Sequence, residues 1–333
     1  MDLDKIKKLN LGITPTPIEH LSRLSKILGG PQIYIKRDDY TGAALGGNKV
    51  RKLEYLLADA LDRGADTIIT TGGLQSNHAR ITAGLCAALG LKSVLVLLAD
   101  EPEDYDGNVL LDRIFGADIV FAGKKDFEGE PERRMAEIEK EYRARGCSTY
   151  TIPLGGASPV GCLGYVKCMQ EISMQTERIN LEINCIITAD GSGGTHAGLE
   201  AGKRVFNRDT RIIGISVLFD RETIRNHVLR ETNETLALLG SCASCPDVTV
   251  YDDYIGPGYA KPDERTLETL SLLGKEGIVL DPVYTGKSMT GLIDLVRKKE
   301  FAKSENILFL HTGGYPGLAV LKKKYRQLLA RSK

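Results

Sequence analysis

Ile186-Ile187-Thr188-Ala189-Asp190-Gly191-Ser192-Gly193-Gly194-Thr195-His196-Ala197-Gly198 is the stretch from which the fold can be read. An apolar, β-branched run leads into a glycine turn, and the turn opens an Ala/Gly/Leu helix start. These are the parts of an anion cradle. Glycines let backbone N–H groups converge, and a helix N-terminus adds a favourable dipole. Ser192 and Thr195 add hydroxyls. No Lys-Ser/Thr pair follows at P-loop spacing, and the third glycine of a dinucleotide fingerprint falls on His196. A tight turn in a packed strand-to-helix crossover accounts for the same glycines, so the loop alone leaves both readings open.

The same alternation extends outward along the chain. Residues 33–35, 67–70, 93–98, 183–188, 212–217 and 307–310 are apolar runs that read as buried parallel strands. Between them lie helical patterns such as Val50, Leu53, Leu57 and Leu61, ending at Gly64, and the charged stretch from Glu130 to Arg145, ending at Gly146. Strand–helix alternation over the whole length means α/β with parallel sheets, and 333 residues suit two lobes. Ligands in such sheets bind beyond the carboxyl ends of the strands. The segments after these strands are rich in Gly, Ser, Thr and Asn.

Lys+Arg and Asp+Glu are both 44, so the net charge is zero, which argues against nucleic acid or an anionic membrane as the main partner. Met1 to Ile6 shows no basic-then-apolar signal pattern, and no apolar run is long enough to span a bilayer, so a cytoplasmic protein is expected. Seven scattered cysteines fit reduced thiols. Cys242 and Cys245 form one CxxC without two further ligands nearby, and no metal is expected.

Three further segments carry candidate chemistry. In Gly46-Gly47-Asn48-Lys49, two glycines precede a helix whose first turn holds a lysine. The dipole disfavours a cation there. With burial, that field frees the amine for Schiff-base chemistry. The competing reading is a solvated lysine beside Arg51 and Lys52. In Thr70-Thr71-Gly72-Gly73-Leu74-Gln75-Ser76-Asn77-His78, Ser76 and Asn77 either cap a helix or, with Gln75 and His78, bind a substrate carboxylate. Tyr259, the segment Asp281 to Lys287, and His311-Thr312-Gly313-Gly314 are turns singly; together they suggest loops meeting at one mouth.

Lys49 within Gly-Gly-Asn-Lys-Val-Arg-Lys-Leu-Glu-Tyr-Leu, Gln75 to His78, Gly191 to Thr195, Asp281 to Lys287 and His311 to Gly314 occur in the order found in the D-cysteine desulfhydrase / 1-aminocyclopropane-1-carboxylate deaminase family. That family belongs to the fold type II, tryptophan-synthase-β-like pyridoxal-phosphate enzymes, and the resemblance runs from about Thr16 to the C-terminal helix. It implies two open, twisted, mostly parallel sheets flanked by helices, with pyridoxal 5'-phosphate in the cleft between lobes. Residues 1–48 and 157–333 would form the large cofactor lobe and 49–156 a small α/β lobe. It also implies a homodimer acting on a small amino acid. By position, Lys49 resembles the Schiff-base lysine and Gly191, Ser192, Gly193, Gly194 and Thr195 the phosphate loop. Asn77 resembles the contact to the cofactor's ring hydroxyl, and Ser76 the carboxylate contact, proposed in deaminases as nucleophile or its partner. Tyr259 and Tyr284 resemble the paired tyrosines facing substrate.

Two positions discriminate within the family. Its deaminases carry Glu after the tyrosine of Tyr-x-Gly-Lys, where it pairs with the pyridine nitrogen, and Leu in His-x-Gly-Gly. This chain has Thr285 and Thr312, the desulfhydrase pattern, although some thermophile relatives called deaminases share it. A carboxylate keeps the ring nitrogen protonated and makes a strong electron sink, whereas a hydroxyl only hydrogen-bonds. Opening a cyclopropane needs the strong sink. β-Elimination of a thiolate needs less, because the leaving group takes the electrons. The expectation is therefore elimination from D-cysteine to pyruvate, hydrogen sulfide and ammonia. The alternatives are the deaminase reaction, L-cysteate sulfo-lyase, a β-replacement transferase or a non-catalytic cofactor binder. Ala157 stands where many desulfhydrases have Ser, and Tyr315 would reshape the substrate pocket if it pointed inward.

Overall fold

The computed structural model describes residues 3–123, 129–206 and 208–321. Its strands are β1 (Ile18–His20), β2 (Gln32–Lys36), β3 (Thr67–Gly72), β4 (Lys92–Leu97), β5 (Asp118–Phe121), β6 (Thr149–Thr151), β7 (Cys185–Asp190), β8 (Arg211–Ser216), β9 (Thr249–Tyr251) and β10 (Asn306–Leu310). Its α-helices are α1 (Ser22–Leu28), α2 (Asn48–Asp62), α3 (Asn77–Leu89), α4 (Gly107–Ile114), α5 (Glu130–Ala144), α6 (Pro159–Arg178), α7 (Gly194–Val205), α8 (Arg221–Leu238), α9 (Glu264–Gly274) and α10 (Thr285–Arg297).

Six strands form one sheet in the order β1-β2-β10-β7-β8-β9, and four form a second in the order β5-β4-β3-β6. Every pairing is parallel except β1 with β2. The two-residue period explains why the central strands read as continuous apolar runs. Successive residues Ile186 and Ile187, and Leu308 and Phe309, go to opposite faces, and helices cover both. Ile187 and Phe309 pack with Leu270 of α9 and Leu292 of α10. Ile186 and Leu308 pack with Tyr165 and Met169 of α6 and Leu199 of α7. In the second sheet Ile69, Val94 and Val96 meet Met135 and Ile138 of α5, while Leu95 and Leu97 meet Ala79, Ala83 and Val109. The chain thus has the two mostly parallel, helix-flanked sheets expected of a fold type II enzyme.

Helix α2 is fixed by a buried polar cluster. Arg51 makes a bidentate bond to Asp38 (2.9 Å on both arms) and two bonds to Glu171 of α6. Tyr165 donates to Asp38 at 2.6 Å, and Lys36 reaches Glu171 and the Thr16 carbonyl.

Some expectations need correction. The strand expected at 183–188 runs from Cys185 to Asp190, because its pairing with β8 continues to Asp190 opposite Ser216. Arg51 and Lys52 are not solvated; they are 3% and 0% exposed. His20 ends β1 and stacks on Tyr34. The short strands β1, β5, β6 and β9 were not anticipated: three or four residues of weak pattern become strands only beside a longer neighbour.

Candidate active site

The carboxyl ends of β3, β7 and β10 and the N-termini of α2, α3, α7 and α10 converge on one cleft. Lys49, Ser76, Asn77, His78, all of Gly191 to Thr195, Tyr259, Tyr284 and Thr312 line it. Gln75, Thr285 and Tyr315 do not.

The loop after β7 is shaped by what glycine permits. Gly193 sits at φ +81°, where side chains are strained. A Cβ on Gly194 would lie 2.7 Å from Lys52 Nζ and 2.9 Å from Ala157 Cα. The loop therefore presents bare backbone to the cleft. Beneath it, His196 Nδ1 lies 2.8 Å from Asp190 Oδ2, and both side chains are fully buried. This pair joins the residue before the loop to the first turn after it. Burial pushes the His196 imidazole down, but Asp190 and Glu200 outweigh it and raise it to about 9. Asn48 Nδ2 donates to Thr195 Oγ1 at 2.9 Å, tying the loop to the lysine helix.

Lys49 lies in the first turn of α2 and donates to the Gly155 carbonyl at 3.0 Å. Lys52, one turn on, reaches the same carbonyl at 3.3 Å. Burial, and then the neighbouring Lys52, hold the Lys49 amine well below the usual lysine range. Burial also lowers Lys52, against the pull of Cys162, Glu231 and Asp190. Reading the sequence missed Lys52. The signal was its three-residue spacing from Lys49, which places both on one helix face.

Ser76 is the N-cap of α3, accepting from Ala79 N at 3.2 Å, so the capping reading holds while the residue still faces the cleft. Asn77 Oδ1 accepts from Asn108 Nδ2 at 3.0 Å. Gln75 turns away: its Oε1 accepts from Asn108 N at 2.9 Å and its Nε2 donates to Asp106 O at 3.3 Å. Asn108, unmarked in the sequence, organises this loop. Thr70 Oγ1 donates its single proton to Ile152 O at 2.8 Å. His78 Nε2, 2.9 Å from that oxygen, is therefore the donor of the pair. Burial, then Lys49 and Lys52, keep His78 neutral.

Tyr259 and Tyr284 share a hydrogen bond of 2.5 Å, with their rings at 72°. Burial pushes Tyr259 up to about 12 and Tyr284 well above the usual range, so both stay protonated at neutral pH. Thr312 lines the cleft, and its carbonyl accepts from Asn48 N at 3.1 Å. Thr285 is fully buried. Its hydroxyl donates to Asp281 Oδ2 at 2.7 Å and accepts from Asp281 N at 2.8 Å, so its side chain braces the start of α10. Tyr315 donates to Asp39 instead of entering the pocket.

This donor set fits pyridoxal phosphate. A glycine cradle backed by the Lys52 side chain suits a phosphate dianion, and a buried lysine held well below its usual range suits carbonyl condensation.

The family model described as pyridoxal-phosphate dependent enzyme matches residues 9–313. A D-cysteine desulfhydrase of Yersinia enterocolitica is 44% identical over 322 residues, covering 95% of this chain and 96% of that protein. A putative 1-aminocyclopropane-1-carboxylate deaminase of Pyrococcus furiosus is also 44% identical, over 317 residues and 95% and 94% of the two chains. A crystal structure described as an ACC deaminase homologue superposes with a TM-score of 0.91 at 42% identity, covering 98% of this chain and 97% of that one. Threonine deaminase isoform 2 of Solanum lycopersicum shares the fold at TM-score 0.67 and 18% identity, over 97% and 85% of the two chains. With the fold, the cradle and the lysine already in place, these likenesses establish that the chain belongs to the pyridoxal-phosphate dependent enzymes.

Proposed function

We propose that this enzyme is a carbon–sulfur lyase that eliminates hydrogen sulfide from D-cysteine, leaving pyruvate and ammonia. The observation that carries the reading is the neutral pair Tyr259–Tyr284 lining the same cleft as Lys49, with Thr312, where the deaminases carry Leu, facing that cleft as well. Desulfhydrases are among the relatives at 42–44% identity.

When bound, the cofactor draws electrons from the substrate's α-carbon. Gly191 to Thr195 and Lys52 would hold its phosphate, and the Lys49 amine would hold it at its carbonyl carbon. Asn77 would orient its ring hydroxyl, and Thr312 would offer a hydroxyl in the same cleft. Backbone N–H groups at the α3 N-terminus, with Ser76, hold the substrate carboxylate. Lys49 Nζ, held well below the usual lysine range by burial and then by Lys52, removes the α-proton. The departing sulfur takes a proton from the tyrosine pair.

With this reading go the division into lobes 1–48 plus 157–333 and 49–156, a cytoplasmic location and a homodimer.

The test is an end-point assay of the purified holoenzyme on D-cysteine, L-cysteine, L-cysteate and 1-aminocyclopropane-1-carboxylate, reading pyruvate, 2-oxobutyrate, sulfide and sulfite. Sulfide with pyruvate from D-cysteine alone is the expected result. Sulfite from cysteate would move the reading to a sulfo-lyase. 2-Oxobutyrate from the cyclopropane, the activity named for the Pyrococcus relative, would show that ring opening does not need the acid.

A further inference from the structure

Lys287 belongs to the Tyr284-Thr285-Gly286-Lys287 segment, yet the chemistry above does not use it. It lies one turn after Tyr284 on α10 and is fully buried. Its ammonium donates to two backbone carbonyls, Ile255 O at 2.6 Å and Gly258 O at 2.8 Å. The charged groups facing it are Asp263, at the start of α9, and Asp281, before α10.

The gripped segment has little regular structure of its own. Gly256 and Gly258 sit at φ +66° and +128°, and Ala260 lies in the left-handed region at φ +57°. Its backbone bonds here are local: Ile255 N to Asp252 O at 3.3 Å and Lys261 N to Gly258 O at 3.2 Å. Tyr259 follows the second gripped carbonyl directly, and its hydroxyl must reach Tyr284 on the helix that carries Lys287. Two strong donors from one buried cation thus set a turn that regular pairing does not.

We propose that Lys287 is a positioning residue: its ammonium pins the carbonyls of Ile255 and Gly258 to α10 and so sets the Tyr259 hydroxyl against Tyr284. The inference rests on the proposed function only in taking this pair as the proton donor. Burial pushes Lys287 down to about 8, against Asp263 and Asp281. The grip therefore weakens as pH rises through that value, when charge-assisted bonds become ordinary amine ones.

The experiment is hydrogen exchange by mass spectrometry on peptides covering residues 252–262 of the holoenzyme, wild type and Lys287→Met, from pH 6.5 to 9.5 and corrected for intrinsic rates. It is paired with kcat and KM for D-cysteine. In the variant, exchange in this segment should rise about tenfold while β7 and α7 stay unchanged. Its kcat should fall roughly tenfold to a hundredfold, the cost of a small misplacement near the chemistry, with KM little altered. Wild-type exchange should move toward the variant above pH 8, and the variant should ignore pH. Unchanged exchange in the variant overturns the proposal, as does raised exchange with unchanged kcat. Should the variant not fold, the wild-type series decides, and flat protection across the range overturns the grip. Wild-type enzyme inactive on D-cysteine would sink the functional reading while the exchange measurements still judge Lys287.

Discussion

At the scale of the residue, Lys49 and Lys52 divide one task between two amines. Both reach the Gly155 carbonyl, and burial, then the neighbouring Lys52, hold the Lys49 amine well below the usual lysine range. Replacing Lys49 with Ala should remove turnover and the visible absorbance of the bound cofactor together; a coloured, active variant would rule out the assignment. Replacing Lys52 with Gln should act on holding rather than chemistry, since a buried cation opposite a phosphate is lost. A fluorescence titration should then show cofactor affinity roughly tenfold to a hundredfold weaker. Lys49 was legible because glycines and an asparagine precede it. Lys52 was not, because a lysine three residues later on an amphipathic helix usually faces water. Tertiary packing shows otherwise: Lys52 is fully buried, and a Cβ placed on Gly194 would lie 2.7 Å from its Nζ. Thr285 misled for the same reason. Its hydroxyl is committed to Asp281, so Thr285→Glu would bury two carboxylates together, and thermal melts should show a large loss of stability rather than a switch of substrate.

At the scale of the element, the strand–turn–helix from Cys185 to Val205 was readable because three signals agree: an apolar run, glycines at the turn and a small-residue helix start. The Asp190–His196 pair across the turn was not readable, because their contact follows from how the turn folds back. His196 is raised from its usual value near 6.5 to about 9 in the fold. A group raised on folding stabilises fully below its unfolded pKa and loses that contribution as pH climbs through the folded one. The clasp should therefore stabilise the protein at pH 6.5 and fade through pH 9. Apo-protein melts of His196→Asn should fall below wild type at pH 6.5, by an amount on the order of a few kcal/mol, and the two should converge near pH 10. A constant difference across that range would show that His196 only fills space.

At the scale of the whole molecule, the site depends on how α2 is seated, and the seat is ionic. Arg51 shares a helix with Lys49 and holds Asp38, just beyond β2, and Glu171 on α6. Burial pushes both carboxyls up, but Arg51, assisted by Lys36, outweighs it and holds each below its usual range. Carboxylates depressed on folding stabilise above their unfolded pKa, near 4, and lose that contribution as pH falls through the folded value. Acid should thus unseat α2, and cofactor release should accompany or precede the loss of helix below pH 4. Arg51→Met tests the argument at neutral pH. It leaves two buried carboxylates with Lys36 as the remaining nearby cation, and breaking a buried pair from one side costs about 3–5 kcal/mol. Urea melts at pH 7 should register that loss. The carboxyls, no longer held down, should also move the onset of acid unfolding to higher pH. A variant with wild-type melts and an unmoved acid onset would mean that the apolar packing of Val50, Leu53 and Leu57 seats the helix unaided, and that the cluster around Arg51 is tolerated rather than required.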